Sequence, residues 1–346
     1  MSVTAVIFIT FVGLLFIGAP ITLSLGAAAM GGMIVSGKPL EGLVEIAYTS
    51  VNSFPIMALP AFILSGALME SAGISRRLVA VAESMAGPFT GGMAASTILS
   101  CLFFGAISGS GPATTAAVGM LMIPAMTRHG YDRGYAGAVT SSSGGLGVVI
   151  PPSIPMILIG VLQELPIGPL FLAGALPGVL LGFSLMALSL VISIRRDYPR
   201  EERRASLRDI WQATLEGMAA LAMPVIVVGG ILLGLVTVTE TGVLAFAYAV
   251  TLSFAYREMT ISSAWMVLKN TAKNAGNLLI LLAPASFFSW MVLTTGMGEQ
   301  MIDLITSISS NRYAVLSMIA VFMLIVGCGL DTLAMIFIFV PVLLPT

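Results

Sequence analysis

The sequence predicts an all-α polytopic membrane protein built from inverted repeats, with two re-entrant helical hairpins. Three observations predict it. First, 58% of the 346 residues are hydrophobic and only 9% are charged, with a mean hydropathy of +1.04. An ordinary soluble chain is about one quarter charged. A soluble fold of this length could not hide so much apolar surface, which excludes a soluble enzyme, a nucleic-acid-binding module and a disordered chain. Second, several apolar stretches reach the length of about 20 residues that a spanning helix needs. Third, others fall short of it and are interrupted by Gly and Pro.

Residues 4–34, 54–72, 170–194, 211–236, 239–256 and 277–295 have spanning length. The short stretches come in pairs. Residues 92–107 and 112–127 flank S-G-S-G-P, 134–145 and 154–164 flank GLGVVIPPS, and 313–327 and 331–345 flank GCGLD. Half-helices broken by Gly and Pro are the sequence sign of re-entrant hairpins and unwound helices. Irregular backbone at membrane depth must face protein or a wet cavity, so these breaks are expected to line something polar. The competing reading is ordinary Gly/Pro kinks. Residues 75–87 and 299–308 are amphipathic and too short to span, and are expected along the two interfaces.

The net charge of −1 hides an asymmetry. Arg195, Arg196, Arg200, Arg203, Arg204 and Arg208 share the stretch RRDYPREERRASLR near the middle of the chain. By the positive-inside rule this loop is cytoplasmic. Walking outward from it, all of the 15 basic residues except Lys38 and Arg312 fall inside, and the N-terminus is expected inside. Glu299 and Asp303 fall outside. The start MSVTAVIFIT has no basic region and no small-residue cleavage site, so it reads as the first spanning helix.

A weak internal repeat runs at an offset of about 220 residues. ALPAFILSGALMESAG (58–73) resembles LAPASFFSWMVLTTG (282–296), matching Pro60 to Pro284 and Gly73 to Gly296. AISGSGPATTAAVGMLMIP (106–124) lies over GCGLDTLAMIFIFVPVLLP (327–345), matching Ser110 to Asp331 and Pro124 to Pro345. APITLSLGA (19–27) lies near TVTETGVLA (237–245). On the charge walk the two halves enter from opposite sides, so the repeat is inverted, as in many secondary transporters. The first half continues past its hairpin into GLGVVIPPS, whereas the second stops at Pro345-Thr346; a C-terminally truncated chain is expected.

The breaks carry the candidate chemistry. Ser108, Gly109, Ser110 and Gly111 form the first tip, followed by Pro112 and Thr114. Carbonyls ending one half-helix suit a cation, and amides starting the next suit a carboxylate. The hydroxyls of Ser108, Ser110 and Thr114 add neutral oxygens. Ser141, Ser142, Ser143, Gly144 and Gly145 lead into the second break, where Pro151 and Pro152 lack amide donors and Ser153 follows. A sodium ion is expected between this break and the first tip, without a carboxylate. Small-residue helix packing is the competing reading. Asp331, at the second tip with Gly327, Gly329 and Thr332, stands between apolar stretches. A central Asp costs roughly 2.5–3.5 kcal/mol to insert and marks a functional site by default. It would coordinate a cation or cap the helix starting at Thr332. An anionic substrate is expected against Ser108, Gly109, Gly111, Thr114, Pro151, Ser153 and Thr332.

Other signals fail. GMIVSGKP (Gly32 to Pro39) resembles a phosphate-binding loop, but Pro39 replaces the required Ser/Thr. His129 sits alone in the turn RHGYDR, and Cys101 and Cys328 lie in apolar segments, so no catalytic residue, transition metal or disulfide is expected.

Residues 103–160, with GAISGSGPAT, the turn IPAM…RHGYDRG and LGVVIPPSIPMI, resemble the large membrane subunit of TRAP (tripartite ATP-independent periplasmic) transporters, the DctM-like family. FLAGALPGVLLG (171–182) and GLDTLAMIFIFVPVLLP (329–345) fit the same family. The resemblance implies sodium-driven uptake of a small carboxylate, such as a C4-dicarboxylate or sialic acid, across the bacterial inner membrane. It implies a periplasmic substrate-binding protein, a small four-helix membrane subunit and an elevator movement. No nucleic acid or organic cofactor is implied; membrane lipid is a partner. Transferred by position, the sodium ligands are Ser108, Ser110, Gly145, Gly147 and Ile150, with Gly327, Gly329 and Asp331 in the second half. The implied division is 1–91 for scaffold helices and cytoplasmic arm, 92–169 for the first transport hairpin and broken helix, 170–312 for scaffold, basic loop and outer arm, and 313–346 for the second hairpin. Val238 stands where the family often has Pro. The alternatives are a proton-coupled permease of another inverted-repeat family, using Asp331 as relay, and an intramembrane enzyme.

Overall fold

The structure, a computed structural model, describes residues 2–86, 90–199, 206–296 and 311–343, with the isolated residues 300 and 307. Arg200, Arg203, Arg204, Glu299, Asp303, Pro345 and Thr346 lie outside the described residues, as does most of the amphipathic stretch 299–308. Among the described residues all regular structure is helical, and six helical stretches are long and apolar enough to cross a membrane. The chain divides into two compact units. Unit 1 comprises Met1–Ile56, Leu158–Leu165 and Asn274–Thr346; unit 2 comprises Met57–Ile157 and Pro166–Lys273.

Unit 1 opens with α1 (Val3–Phe16) and α2 (Ile21–Ser36). The single span expected over 4–34 is corrected here: the chain turns at Gly18 (φ +84°) and Pro20, and the two helices fold back on each other. Gly32 lies against Ile7 and Gly31 against Val6, which makes the pair antiparallel. The hairpin returns Ser36 to the end where Val3 begins. The N-terminus and Lys38 therefore share one end, against the walk that set them on opposite sides. Continuous hydropathy concealed the turn, because neither glycine nor proline interrupts an apolar average over so few residues. α3 (Gly42–Val51) follows.

Unit 2 begins with a short 3-10 turn and α4 (Ala58–Ser71). Next is α5 (Ile74–Ala86), the amphipathic segment. It buries Ile74, Leu78, Val81 and Ala82 against neighbouring helices and leaves Arg76 exposed. α6 (Gly92–Ser108) and α7 (Gly111–Arg128) form the first hairpin, and the Thr97 hydroxyl donates to Met126 Sδ at 3.3 Å across it. α8 (Arg133–Gly144), the single turn α9 (Leu146–Val149) and α10 (Ile154–Leu162) are the broken helix. α11 (Ile167–Arg195) packs along α6, α8 and α9, α12 (Leu207–Leu232) against α5, and α13 (Val238–Tyr256) against α4. The capping boxes Ser206/Asp209 and Thr237/Glu240 start α12 and α13, satisfying their first amides. Glu240 is thus a capping residue.

α14 (Ile261–Thr294) is 34 residues long, so the span expected over 277–295 is only its second half. α15 (Arg312–Gly327) and α16 (Thr332–Leu343) form the last hairpin. The repeat pairing 58–73 with 282–296 gains a local parallel: Gly73 and Gly296 each stand just beyond their helix with φ of +70° and +66°. The pairing also explains the length of α14. Pro55, with Asn52 and Ser53, separates α3 from α4, and the corresponding positions near Asn277 carry no proline, so the helix runs on.

An aromatic clamp closes one end of unit 2. The Tyr198 ring stacks on Tyr131 at 4.4 Å and Tyr135 at 5.2 Å, and the Tyr135 hydroxyl donates to Ser189 O at 3.1 Å. This fastens the segment after α11 to the α7–α8 turn. Tyr198→Ala is expected to lower unfolding stability by roughly 3 kcal/mol, the usual cost of emptying a buried aromatic site. Tyr198→Phe keeps the stack and should stay near wild type in the same thermal melt.

Candidate functional site

The two breaks of unit 2 meet. α6 ends at Ser108, and Gly109 takes a left-handed conformation (φ +62°) while its amide donates to Gly105 O at 2.9 Å. Ser110 is extended, and α7 restarts at Gly111 with Pro112 in its first turn, where a missing amide costs nothing. On the other side Ile150 is extended, the Pro151–Pro152 bond is cis, and α10 restarts after Ser153. The Ile154 amide donates to Gly109 O at 3.2 Å, a backbone bond joining tip to break.

The hydroxyls form a small buried network. Thr114 Oγ1 donates to Ser110 O at 2.7 Å and lies 2.9 Å from Ser108 Oγ. The Ser110 amide donates to Ser108 Oγ at 3.3 Å. The Ser153 hydroxyl donates to Val148 O and accepts from the Met156 amide at 3.4 Å, replacing partners that the unwound turn lacks. Ser108, Thr114 and Ser153 are all buried.

Close backbone approach holds these pieces together. A methyl added at Gly147 would stand 2.9 Å from Ser110 O and overlap Thr114 Oγ1. One added at Gly105 would stand 2.7 Å from the Gly147 Cα. The structure thus gathers Ser108, Gly109, Ser110, Gly111, Thr114, Gly147, Ile150, Pro151 and Ser153 into one place, with Gly145 exposed at its margin. Sequence reasoning missed Gly105, the Ile154 amide and the Val148 carbonyl. Gly105 carried a signal: it stands four residues before Gly109, the spacing of small residues where helices approach closely. Backbone groups carry no sequence signal at all.

Gly327, Gly329, Asp331 and Thr332 belong to the tip between α15 and α16, in unit 1. All four are exposed. The Asp331 carboxylate accepts from the Leu333 amide at 3.1 Å, which is the capping contact anticipated as one of its two roles. Unit 1 also contains a cavity of about 840 Å³ with Glu45, Thr49, Asn52, Glu164, Ser289 and Trp290 in its wall; none of the sequence-predicted site residues lines it.

The donor set at the unit 2 site is hydroxyl and carbonyl oxygen, with no carboxylate among the residues brought together. A hard monovalent cation accepts such ligands, and the Gly109 carbonyl, which accepts from the Ile154 amide, keeps a second lone pair. The residues present therefore fit a sodium ion chemically.

Fold and site together define an all-α, multi-pass membrane protein whose two chain breaks close on each other in one helical body. The chain belongs to the family described as "Tripartite ATP-independent periplasmic transporter, DctM component", whose profile matches residues 8–346. It is 40% identical over 342 residues to the isethionate TRAP transporter permease protein DctMQ of Oleidesulfovibrio alaskensis, covering 98% of this chain and 54% of that protein. It is 32% identical to the sialic acid TRAP transporter large permease protein SiaM of Vibrio cholerae, covering 97% of this chain and 79% of that protein. It is 30% identical to the C4-dicarboxylate TRAP transporter large permease protein DctM of Rhodobacter capsulatus, covering 98% and 81%. These relatives are transporter permeases and not enzymes.

Proposed function

We propose that this chain acts as the large permease subunit of a sodium-coupled importer of a small organic anion in the bacterial inner membrane. A periplasmic binding protein delivers the anion, and a small membrane subunit completes the complex. The observation that carries this reading is the junction of hairpin tip and broken helix, where Ser108, Ser110, Thr114 and the backbone of 147–150 offer neutral oxygens beside two helix starts. Sodium is held by those oxygens, and the start of α7 at Gly111 favours the anion. The Ile154–Gly109 bond ties tip to break, so an element that moved would carry both, as an elevator movement requires.

The names of the relatives widen the substrate class. Isethionate is a sulfonate, whereas sialic acid and C4-dicarboxylates are carboxylates. The common chemistry is a small, hydrophilic organic anion, and a site that binds it through amides and hydroxyls serves either headgroup.

The test is uptake by the full-length large subunit reconstituted with its small subunit and binding protein. Accumulation is expected only with an inward sodium gradient. Thr114→Val, which removes one hydroxyl while keeping the shape, is expected to raise the half-saturating sodium concentration about tenfold, the effect of a hydrogen-bond-sized loss. Uptake that continues unchanged without sodium overturns the coupling.

A further inference from the structure

The cavity of unit 1 shares no residue with the hairpin junction. It opens among α3, the end of α10 and the second half of α14, with a volume of about 840 Å³. Two carboxylates stand in its wall, Glu45 of α3 and Glu164 just past α10, and no basic side chain does. Lys38 does not line it; its ammonium lies over the Trp290 ring, 4.5 Å from the centroid. The stretches 37–53 and 163–166 hold Lys38 as their single basic residue, so the positive-inside rule turns this cavity outward.

The neutral wall atoms also favour a cation. The Thr49 hydroxyl donates to Glu45 O at 2.6 Å and the Ser50 hydroxyl to Ala47 O at 2.9 Å. Each hydroxyl has one proton, so lone pairs are what these two leave for the cavity. Ser289 adds an independent sign of a ligand. Many helical serines here settle their hydroxyls on the preceding turn, as Ser253 does on Ala249 O and Ser143 on Val139 O. Ser289 is only 6% exposed and lines the cavity, yet it has no hydrogen-bond partner among the described residues. A buried hydroxyl without a partner is costly, and here it faces a space that a ligand can enter. An anion would meet two carboxylates, whereas a cation meets carboxylates and lone pairs. No group of three or more acidic, histidine or cysteine side chains suited to a metal ion occurs among the described residues, and a pair of carboxylates with neutral oxygens suits a single charge.

We propose that this cavity binds a monovalent cation, drawn in by Glu45 and Glu164 and held with the help of the Ser289 hydroxyl oxygen. The choice of sodium as that ion rests on the proposed sodium coupling; the preference for a cation does not. A cleft lined by one sign of charge raises the local concentration of counter-ions. A carboxylate about 6 Å from a cation in a wet site favours it roughly threefold, and added salt weakens the effect. The site gathers the coupling ion on the face from which an inward gradient supplies it.

Trp290 stands in the cavity wall and reports on it. The experiment uses the full-length large subunit with its small membrane subunit, carrying Trp211→Phe, Trp265→Phe and Phe at any further tryptophan, and reads Trp290 fluorescence. Quenching by caesium, a cation, is compared with quenching by neutral acrylamide. The ratio of the two is expected to fall about tenfold when Glu45→Gln and Glu164→Gln are combined. Sodium should protect Trp290 from caesium with saturation, and choline at equal ionic strength should not. Ser289→Ala is expected to raise the half-protecting sodium concentration about fivefold. An unchanged ratio in the double variant overturns the proposal. So does choline that protects as well as sodium, which would leave only diffuse screening, or protection by micromolar calcium, which would assign a divalent site. A Trp290 that acrylamide cannot reach overturns it too, because another part of the complex then fills the cavity. Trp290 lines the unit 1 cavity and sodium-dependent uptake is scored separately, so failure here leaves the transport reading untouched.

Discussion

Gly147→Val is expected to abolish sodium-dependent uptake and to lower the melting temperature of the purified subunit. Gly147 faces the hairpin tip without a side chain between. A methyl there already overlaps Thr114 Oγ1 and stands 2.9 Å from the Ser110 carbonyl oxygen. Neither neighbour is the free end of a flexible chain: one is a buried hydroxyl bonded twice, the other is backbone. Valine adds two more carbons to the same contact. Overpacking of this kind costs roughly 1–3 kcal/mol. Here it also separates Thr114 from Ser110, so bonds between neutral oxygens are lost with it. An energy of about 3 kcal/mol shifts a local equilibrium by more than a hundredfold, enough to empty a binding geometry while leaving a helical protein. Uptake assays and thermal unfolding on the same preparation decide the matter. Wild-type uptake by the variant would show that the breaks need not touch.

The second large effect concerns Gly109. Gly109→Ala is expected to cost roughly 2–4 kcal/mol and to impair uptake severely. Two independent terms act. A left-handed conformation costs an ordinary L-residue about 1–2 kcal/mol. An added methyl also stands 2.5 Å from Pro152 O, which pushes the break away and weakens the Ile154 amide bond to Gly109 O. A net hydrogen bond contributes about 1 kcal/mol. Gly109→Asn separates the terms. Asparagine tolerates a positive φ but still fills the space against Pro152. If close approach dominates, the Asn variant melts no higher than the Ala variant. Recovery by Asn would assign the whole effect to backbone conformation.

Most helices between residues 58 and 256 were legible as apolar runs bounded by Gly, Pro or a capping pair, and α5 by its amphipathic pattern. The breaks were legible for the same reason, since S-G-S-G-P and GLGVVIPPS cannot continue a helix. The turn at Gly18–Pro20 was not, because a hydropathy window reports an average over many residues and carries no direction. The upstream half of α14 was also missed. Lys269, Asn270, Lys273 and Asn274 lower its mean hydropathy, although they are compatible with a helix that lies partly outside the apolar layer.

The candidate site divides in the same way. Ser108, Ser110, Thr114, Pro151 and Ser153 declared themselves by residue type, because hydroxyls and prolines in an apolar chain demand a local reason. Their meeting did not follow from sequence. The contact of Gly105 with Gly147 joins positions far apart in the chain, and the bond from Ile154 to Gly109 is backbone to backbone. Asp331 was conspicuous as a charge and yet undetermined in role, until its carboxylate was found on the Leu333 amide. Composition and local pattern determined that this is a helical membrane protein, where its chain breaks, and which polar atoms stand at the breaks. Those follow from solvent preference and local backbone sterics, which act over a few residues. Tertiary structure alone decided that the chain reverses near Gly18 and that the tip closes on the paired prolines. Each of these depends on which helix faces touch, and that is settled by packing among distant residues.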